Sequence, residues 1–165
     1  MILLIIFTLG ALYTIFFVPK RISKIELYTT SLFATLMGTF ADMFLDVKLD
    51  LYGFFLKGVD WEYILVILFI YPAANILFLN YYPETKPRIG KGLYVIGFSL
   101  VTLVIELISL QTEVFYHNGW KIWHSAIAYP FLYTILRLNY LMIKRGFREQ
   151  YSNLKKSRAP GCDKM

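Results

Sequence analysis

Carboxyl side chains interrupt two otherwise apolar stretches of this sequence, and each belongs to a stripe of regularly spaced polar residues. The first stripe recurs at intervals of three or four residues and comprises Ser31, Thr35, Thr39, Asp42 and Asp46. The second has the same kind of spacing and comprises Ser99, Thr102, Glu106, Ser109 and Glu113. Because residues three or four apart share one face of a helix, each stripe predicts a helix whose polar face points into a bundle or a wet cavity.

Carboxyl groups at similar depths in two helices could handle protons or cations. Asp42 lies about 6 Å from the C-terminal end of its stretch, at about 1.5 Å per residue, and Glu106 lies at a similar depth. We expect an acidic pocket of Asp42, Asp46 and Glu106, completed by His124 and by His117 in the preceding connection. Two carboxyls at one depth disfavour double ionisation, so one would hold a proton or both would share a cation. The alternative is a structural hydrogen-bond network that holds helices together.

A second candidate site surrounds an arginine within the last apolar stretch. Arg137 shares a helix face with Tyr129, Tyr133, Tyr140 and Lys144 and lies about 10 Å inside Lys144. Its side chain either extends to the inner headgroups or lies in an inward pocket where the tyrosines stack on the guanidinium. In the second case Asn75 is a plausible neighbour, and the pocket would bind an anionic headgroup or substrate.

The elements that position these residues follow from composition. The chain has 165 residues, of which 58% are apolar and 17% charged, with a mean hydropathy of +0.55. A soluble domain of this size could not bury so much apolar surface. We predict an all-α integral membrane bundle of five helices at about 2–18, 27–47, 62–82, 92–110 and 123–143. Residues 1–145 form the membrane domain, and 146–165 form a basic tail that we expect to fray.

Basic residues predict the orientation. Three cations follow the first apolar run, three follow the third and seven follow the fifth, whereas only three lie in the other two connections. The positive-inside rule therefore predicts an external N-terminus and a cytoplasmic tail that anionic lipid attracts. Nucleic acid is not an expected partner, because the basic residues lie at helix ends.

The second and third runs resemble the fourth and fifth. Tyr71-Pro72 in the third run matches Tyr129-Pro130 in the fifth, and Asn80 matches Asn139 near the ends of these runs. We predict two tandem hairpins related by a pseudo-twofold axis along the membrane normal. The alternative is that proline and terminal asparagine recur because membrane helices favour them.

Familiar catalytic and metal-binding motifs are missing from the sequence. It contains no P-loop, no dinucleotide-binding glycine pattern, no His-Glu-x-x-His and no Gly-x-Ser-x-Gly. Its single cysteine, Cys162, excludes an internal disulfide and a zinc site built on several thiolates. We therefore expect no catalytic residues, no cofactor and no metal site.

Short segments spread along the chain carry a resemblance to a known family. They are Pro19-Lys20-Arg21, Tyr28–Ala34, Asp42 with Asp46, Leu51–Phe55, Gly58–Trp61, Tyr71-Pro72-x-x-Asn75, Phe115–Trp120 and Tyr129-Pro130. Together they resemble an uncharacterised family of small multi-pass membrane proteins of Bacillus-like spore-forming bacteria, up to about residue 145. The resemblance implies a bacterial plasma-membrane location and no assigned activity.

Three classes of function remain. A structural or partner-binding membrane component is favoured, as a homo-oligomer or with another membrane protein, because short connections leave little room for a catalytic domain outside the lipid. The second is a small transporter or channel-like protein that handles protons or cations through the outer acidic pocket. The third is a membrane-embedded enzyme acting on a lipid or isoprenoid, but no nucleophile–base pair is visible, so an enzyme is not expected. Membrane lipids are the expected surroundings in all three.

Overall fold

Helices dominate the described part of the chain, which a computed structural model gives as residues 2–54, 61–112 and 114–158. In chain order the elements are α1 (Ile2–Phe17), α2 (Lys24–Asp42), a π-helical turn (Met43–Lys48), β1 (Tyr52–Phe54), α3 (Trp61–Leu65), a second π-helical turn (Val66–Ile70), α4 (Tyr71–Asn80), α5 (Arg88–Ser109), β2 (Phe115–His117) and α6 (Ile122–Arg158). Glu113 of the second stripe and Cys162 lie outside the described residues.

Five helical rods form a bundle, as the five apolar runs predict. α2 continues directly into its π-helical turn, and α3, the second π-helical turn and α4 form one rod. α2 packs against α4 and α6, α5 packs against α6, and α1 covers α4. Among the described residues, three rods are long and apolar enough to cross a membrane: Glu62–Asn80, Arg88–Ser109 and Ile122–Tyr151.

Local sequence explains where the second rod begins and why the third changes its pitch. Ser23 starts α2 with a capping box, in which its hydroxyl accepts from the Glu26 amide at 3.4 Å and the Glu26 carboxylate accepts from the Ser23 amide at 3.1 Å. Pro72 has no N–H to donate within the third rod, and the π-helical turn Val66–Ile70 immediately precedes its helical segment. Such turns occur frequently at functional sites.

A pair of short strands departs from the all-helical prediction. β1 and β2 pair antiparallel, with Tyr52 opposite His117, Gly53 opposite Tyr116 and Phe54 opposite Phe115. Each strand has three residues, too few for an alternating pattern to be recognised in the sequence. The strands join the two connections that follow α2 and α5. We call this end of the bundle the strand end, and the end that carries the α1–α2 and α4–α5 connections the basic end.

Two clusters of buried side chains pack inside the bundle, one at the strand end and one towards the basic end. At the strand end Leu4, Val66 and Val114 pack together. Towards the basic end Phe78 is fully buried and packs with Tyr133. The side-chain amide of Asn80 ties the α1–α2 connection to the end of α4, because it donates to the Pro19 carbonyl at 2.9 Å and accepts from the Arg21 amide at 2.6 Å.

The last helix is longer than predicted. We expected a membrane segment at 123–143 followed by a frayed tail, but α6 continues to Arg158. The residues that follow Gly146 are mostly good helix formers such as glutamate, glutamine, arginine, lysine and leucine, which favours this continuation.

Candidate functional site

A cavity of about 310 Å³ lies between the helices and beneath the paired strands. Its walls come from all five rods and include both predicted acids, Asp42 from α2 and Glu106 from α5, each only 6% exposed. Most of the remaining lining is apolar, with side chains such as Phe33, Met37 and Leu132. The volume lies within the range of small-molecule sites in proteins.

Three tyrosines surround the Asp42 carboxylate. The Tyr52 hydroxyl donates to Oδ1 at 2.7 Å, the Tyr63 hydroxyl donates to Oδ2 at 2.6 Å, and the Tyr71 hydroxyl also donates to Oδ2. Burial and the nearby Asp42 carboxylate raise the pKa of the Tyr52 hydroxyl, so this group keeps its proton and stays a donor. These contacts bring together α2, β1, α3 and α4 at one carboxylate, which explains how its burial is tolerated.

A more varied set of donors surrounds the Glu106 carboxylate. The Ser125 hydroxyl donates to Oε1 at 2.7 Å and the Tyr129 hydroxyl donates to Oε2 at 2.5 Å. His117 Nε2 lies 2.9 Å from Oε1. The Trp120 indole N–H donates to the Ser125 hydroxyl at 2.7 Å, so a relay of hydrogen bonds runs from the indole to the carboxylate.

The two acidic clusters have corresponding parts. Each acid accepts a hydrogen bond from a tyrosine that precedes a proline, Tyr71 for Asp42 and Tyr129 for Glu106. Each is also contacted by one residue of the strand pair, and these two residues, Tyr52 and His117, lie opposite each other in the sheet. The strand pair therefore holds both clusters at one end of the cavity.

Two residues predicted for the acidic pocket lie elsewhere. Asp46 is on the π-helical turn after α2, is half-buried, and lies outside the described lining of the cavity. His124 accepts from the Lys121 amide at 2.9 Å through Nδ1, and its ring packs on that of Trp123. His124 therefore caps the start of α6, and the histidine that contacts Glu106 is His117.

Arg137 lies inside the bundle rather than extending to its surface. It is 9% exposed, and its Nη2 donates to the Glu84 carboxylate at 2.6 Å. Its guanidinium carbon lies 4.1 Å from the centre of the Tyr82 ring and 5.0 Å from that of the Tyr140 ring. The α4–α5 connection therefore supplies both the ion-pair partner of Arg137, Glu84, and an aromatic ring, that of Tyr82. The sequence did not indicate this ion pair, because Glu84 lies in a polar connection where an exposed glutamate is common.

Tyr140 lies beside Arg137 as predicted, but three other residues predicted to surround it have other partners. Tyr129 donates to Glu106, and the hydroxyl of Tyr133 lies 2.7 Å from that of Thr102. Asn75 lies in the wall of the acidic cavity, to which Tyr129 and Tyr133 also contribute. Residues assigned to an anion pocket thus belong to the cavity that carries the carboxylates.

The arrangement suits a positively charged guest. Each carboxylate accepts three hydrogen bonds and has about four lone-pair sites, so each keeps acceptor capacity for a further donor. Among the described residues that line the cavity, none is lysine or arginine. Within the described part of the chain, no three His, Cys, Asp or Glu side chains gather as a metal site requires. Comparison of the chain with family models, curated proteins and solved structures yields no match.

Proposed function

We propose that this chain is a multi-pass protein of a bacterial plasma membrane, with all five rods crossing the lipid. The exterior of the bundle supports this proposal. Along α5, for example, Ile89, Leu93, Ile96 and Leu100 are exposed at intervals of three or four residues and form an apolar stripe on the outside. So much exposed apolar surface favours lipid as its solvent.

The orientation we propose has the strand end outside and the basic end in the cytoplasm. Cations concentrate near the basic end, in the α1–α2 and α4–α5 connections and in the last part of α6: Lys20, Arg21, Lys24, Lys86, Arg88, Lys91, Lys144, Arg145 and Arg148. The positive-inside rule favours this arrangement. Asp42, Glu106 and the strands then lie towards the external face.

We also propose that the two acidic hairpins are repeats. Support comes from the strand register, which is compatible with a twofold axis through the pair formed by Gly53 and Tyr116. This axis relates Tyr52 to Phe115 and Phe54 to His117, so the repeat does not extend to the strand residues that contact the two acids. Further support comes from the corresponding donors Tyr71 and Tyr129, each followed by proline. An axis along the membrane normal would relate α2–β1–α4 to α5–β2–α6.

For the function, we propose that the outer acidic cavity binds an organic cation. The observation that carries this proposal is the presence of Asp42 and Glu106 in one largely apolar cavity whose described lining contains no basic side chain. Carboxylates in such surroundings attract a cation more strongly than they would in water. A network serving only to hold helices together would need no open volume beside it, so the geometry favours ligand binding over a purely structural role.

The test is binding of dodecylamine, which is cationic at neutral pH, to the protein in lipid nanodiscs. We expect saturable binding that dodecanol, of the same chain length but neutral, does not compete away. The double variant Asp42→Asn with Glu106→Gln should lose this binding and keep its helical content. Asp46→Asn is the matched control, because it removes a carboxylate close to Asp42 but outside the described cavity lining. Equal binding by wild type and the double variant would overturn the proposed function.

A further inference from the structure

The acidic cavity has a long apolar arm, and its shape defines the occupant more closely. We propose that it holds a single-chain amphiphile, with a primary ammonium head between Asp42 and Glu106 and one hydrocarbon chain directed towards the basic end. This inference rests on the proposed function and deepens it, because it names the class of cation.

The length of the cavity follows from the helix positions that line it. On α2 the lining extends from Asp42 back to Phe33, which is about 14 Å along a helix axis. On α6 it extends from Ser125 to Leu136, which is about 16 Å. The acidic groups lie at only one end of this length, where the strands are. A compact cation would occupy that end and leave the remainder of the cavity unfilled.

The walls of the arm are mostly apolar, and the two hydroxyls that they contain, those of Thr102 and Tyr133, lie 2.7 Å apart and hydrogen-bond to each other. Phe33, Met37, Leu132 and Leu136 supply apolar surface. Small residues on three rods also line the cavity and leave space between the helices, namely Ala34, Ala41, Ala74 and Ala128. Burial of a hydrocarbon chain against such walls is favourable for each methylene group added, until the chain reaches the far end.

Asn75 forms a polar floor to the arm. It is only 1% exposed, and its Nδ2 donates to Thr30 at 3.2 Å and to Ser31 at 3.1 Å. The Thr30 hydroxyl donates to the Glu26 carbonyl at 2.8 Å, which leaves its oxygen free to accept from Asn75 and fixes the orientation of the amide. Asn75 Oδ1 has no hydrogen-bond partner in the described structure. The apolar lining therefore ends near a buried polar group, and its length of about 14–16 Å limits the hydrocarbon chain that the arm can hold.

An ammonium group fits the head of the cavity better than a metal ion does. Two of its three N–H donors match the one acceptor position left on each carboxylate, whose other positions are taken by hydroxyl and imidazole donors. Tyr52 and Trp120 also line this end, and aromatic rings attract cations. The occupant is therefore a lipid-like amine rather than an inorganic ion.

The experiment is a competition among butylamine, octylamine, dodecylamine and hexadecylamine at equal concentration, with the protein in nanodiscs and native mass spectrometry as the readout. Each amine has a different mass, so one spectrum reports all four. The double variant Asp42→Asn with Glu106→Gln gives the background from partition into lipid. We expect dodecylamine to be retained at least tenfold more than butylamine above this background, and hexadecylamine to gain nothing further.

A blocked cavity supplies the second measurement. Ala128→Phe places a ring in the cavity wall and should shift the preference to octylamine. Ala126→Phe adds the same ring two residues earlier on α6, at an exposed position outside the cavity lining, and should leave the preference unchanged. The wild-type series by itself remains decisive if the blocked variant does not fold.

The outcomes separate the two proposals. If butylamine competes as well as dodecylamine, and the double variant still loses binding, then the cavity binds cations but the elongated occupant is wrong. If retention rises with chain length equally in wild type and double variant, the amines report lipid partition and both proposals fail.

Discussion

The Asp42 and Glu106 clusters have a similar arrangement of contacts, but the chemical groups that donate to the two acids differ. Asp42 accepts three tyrosine hydroxyls, none of which can bring a positive charge. Glu106 accepts one tyrosine and one serine hydroxyl, and its third neighbour is the imidazole of His117, which can carry a proton. Similar geometry therefore places one acid among neutral hydroxyl groups and the other beside a basic group of the protein itself.

Because of this difference, we expect the two acids to contribute unequally to the affinity for a cation. The donors around Asp42 are all neutral hydroxyls, whereas the imidazole beside Glu106 is a basic group that competes with a guest cation for the carboxylate. We infer that Asp42 supplies most of the attraction for a cation, and that Glu106 mainly positions it.

The largest expected effect comes from replacing each of the two acids individually. Asp42→Asn should weaken dodecylamine binding by about tenfold or more, whereas Glu106→Gln should weaken it by only about threefold, corresponding to roughly 1.4 and 0.7 kcal/mol. Titration calorimetry in nanodiscs, with empty nanodiscs subtracted, measures both. Equal losses would contradict the assignment of the main attraction to Asp42.

A glycine packed against the Asp42 cluster gives the next largest effect, this time on stability. A Cβ added at Gly38 would lie 2.5 Å from Cε2 of Tyr71, so Gly38→Ala must displace the ring that donates to Asp42. We expect a loss of about 1–3 kcal/mol in unfolding free energy.

Gly97→Ala is the matched control for this change. Gly97 lies in α5, and a Cβ there meets nothing within 4 Å, so alanine should be neutral or stabilise by up to about 1 kcal/mol. Thermal unfolding of the two variants in the same detergent gives the comparison. Similar melting temperatures for both would show that the contact between Gly38 and Tyr71 is unimportant.

Removal of one tyrosine hydroxyl from each cluster compares how much a single donor contributes to stability in the two clusters. Tyr71→Phe and Tyr129→Phe each delete one hydrogen bond to a buried carboxylate, at a cost of about 1–2 kcal/mol. We expect the larger loss at Tyr71, because the imidazole near Glu106 can compensate for a missing hydroxyl. Chemical unfolding measures both variants, and a larger loss for Tyr129→Phe would reverse the comparison.

The smallest effect is expected from His117→Gln. A glutamine amide can still donate to Glu106 but cannot bring a positive charge, so the cavity should attract a cation slightly more strongly. We expect dodecylamine affinity to rise about twofold, a change of roughly 0.4 kcal/mol, in the same calorimetric assay. A fall in affinity would indicate that His117 contributes its geometry rather than its charge.

Sequence periodicity identified two inward-facing acids but not the residues that contact them. Asp42 and Glu106 belong to stripes whose spacing can be read directly, and both line one cavity. Their donors lie 10 to 29 residues away from them in the chain, and which donors meet them depends on two π-helical turns and on the strand register. Neither feature leaves a periodic signal in the sequence.

The histidines and the arginine illustrate the same limit. His124 and His117 were both candidates, and only the antiparallel pairing of two three-residue strands brings His117 to Glu106. Arg137 was recognised as unusual, but its partner Glu84 belongs to a connection 53 residues earlier. Helix-face arguments relate residues on one helix, so they cannot identify a partner that a loop supplies.

The most direct test of the central claim is native mass spectrometry of the protein released gently from its own membrane, beside the Asp42→Asn variant prepared in the same way. If the acidic cavity holds a cationic amphiphile, wild type should carry a small molecule of fixed mass that contains an amine and that the variant has lost. A bare chain, a bare homo-oligomer, or a complex with another polypeptide alone would contradict the claim and favour a structural role.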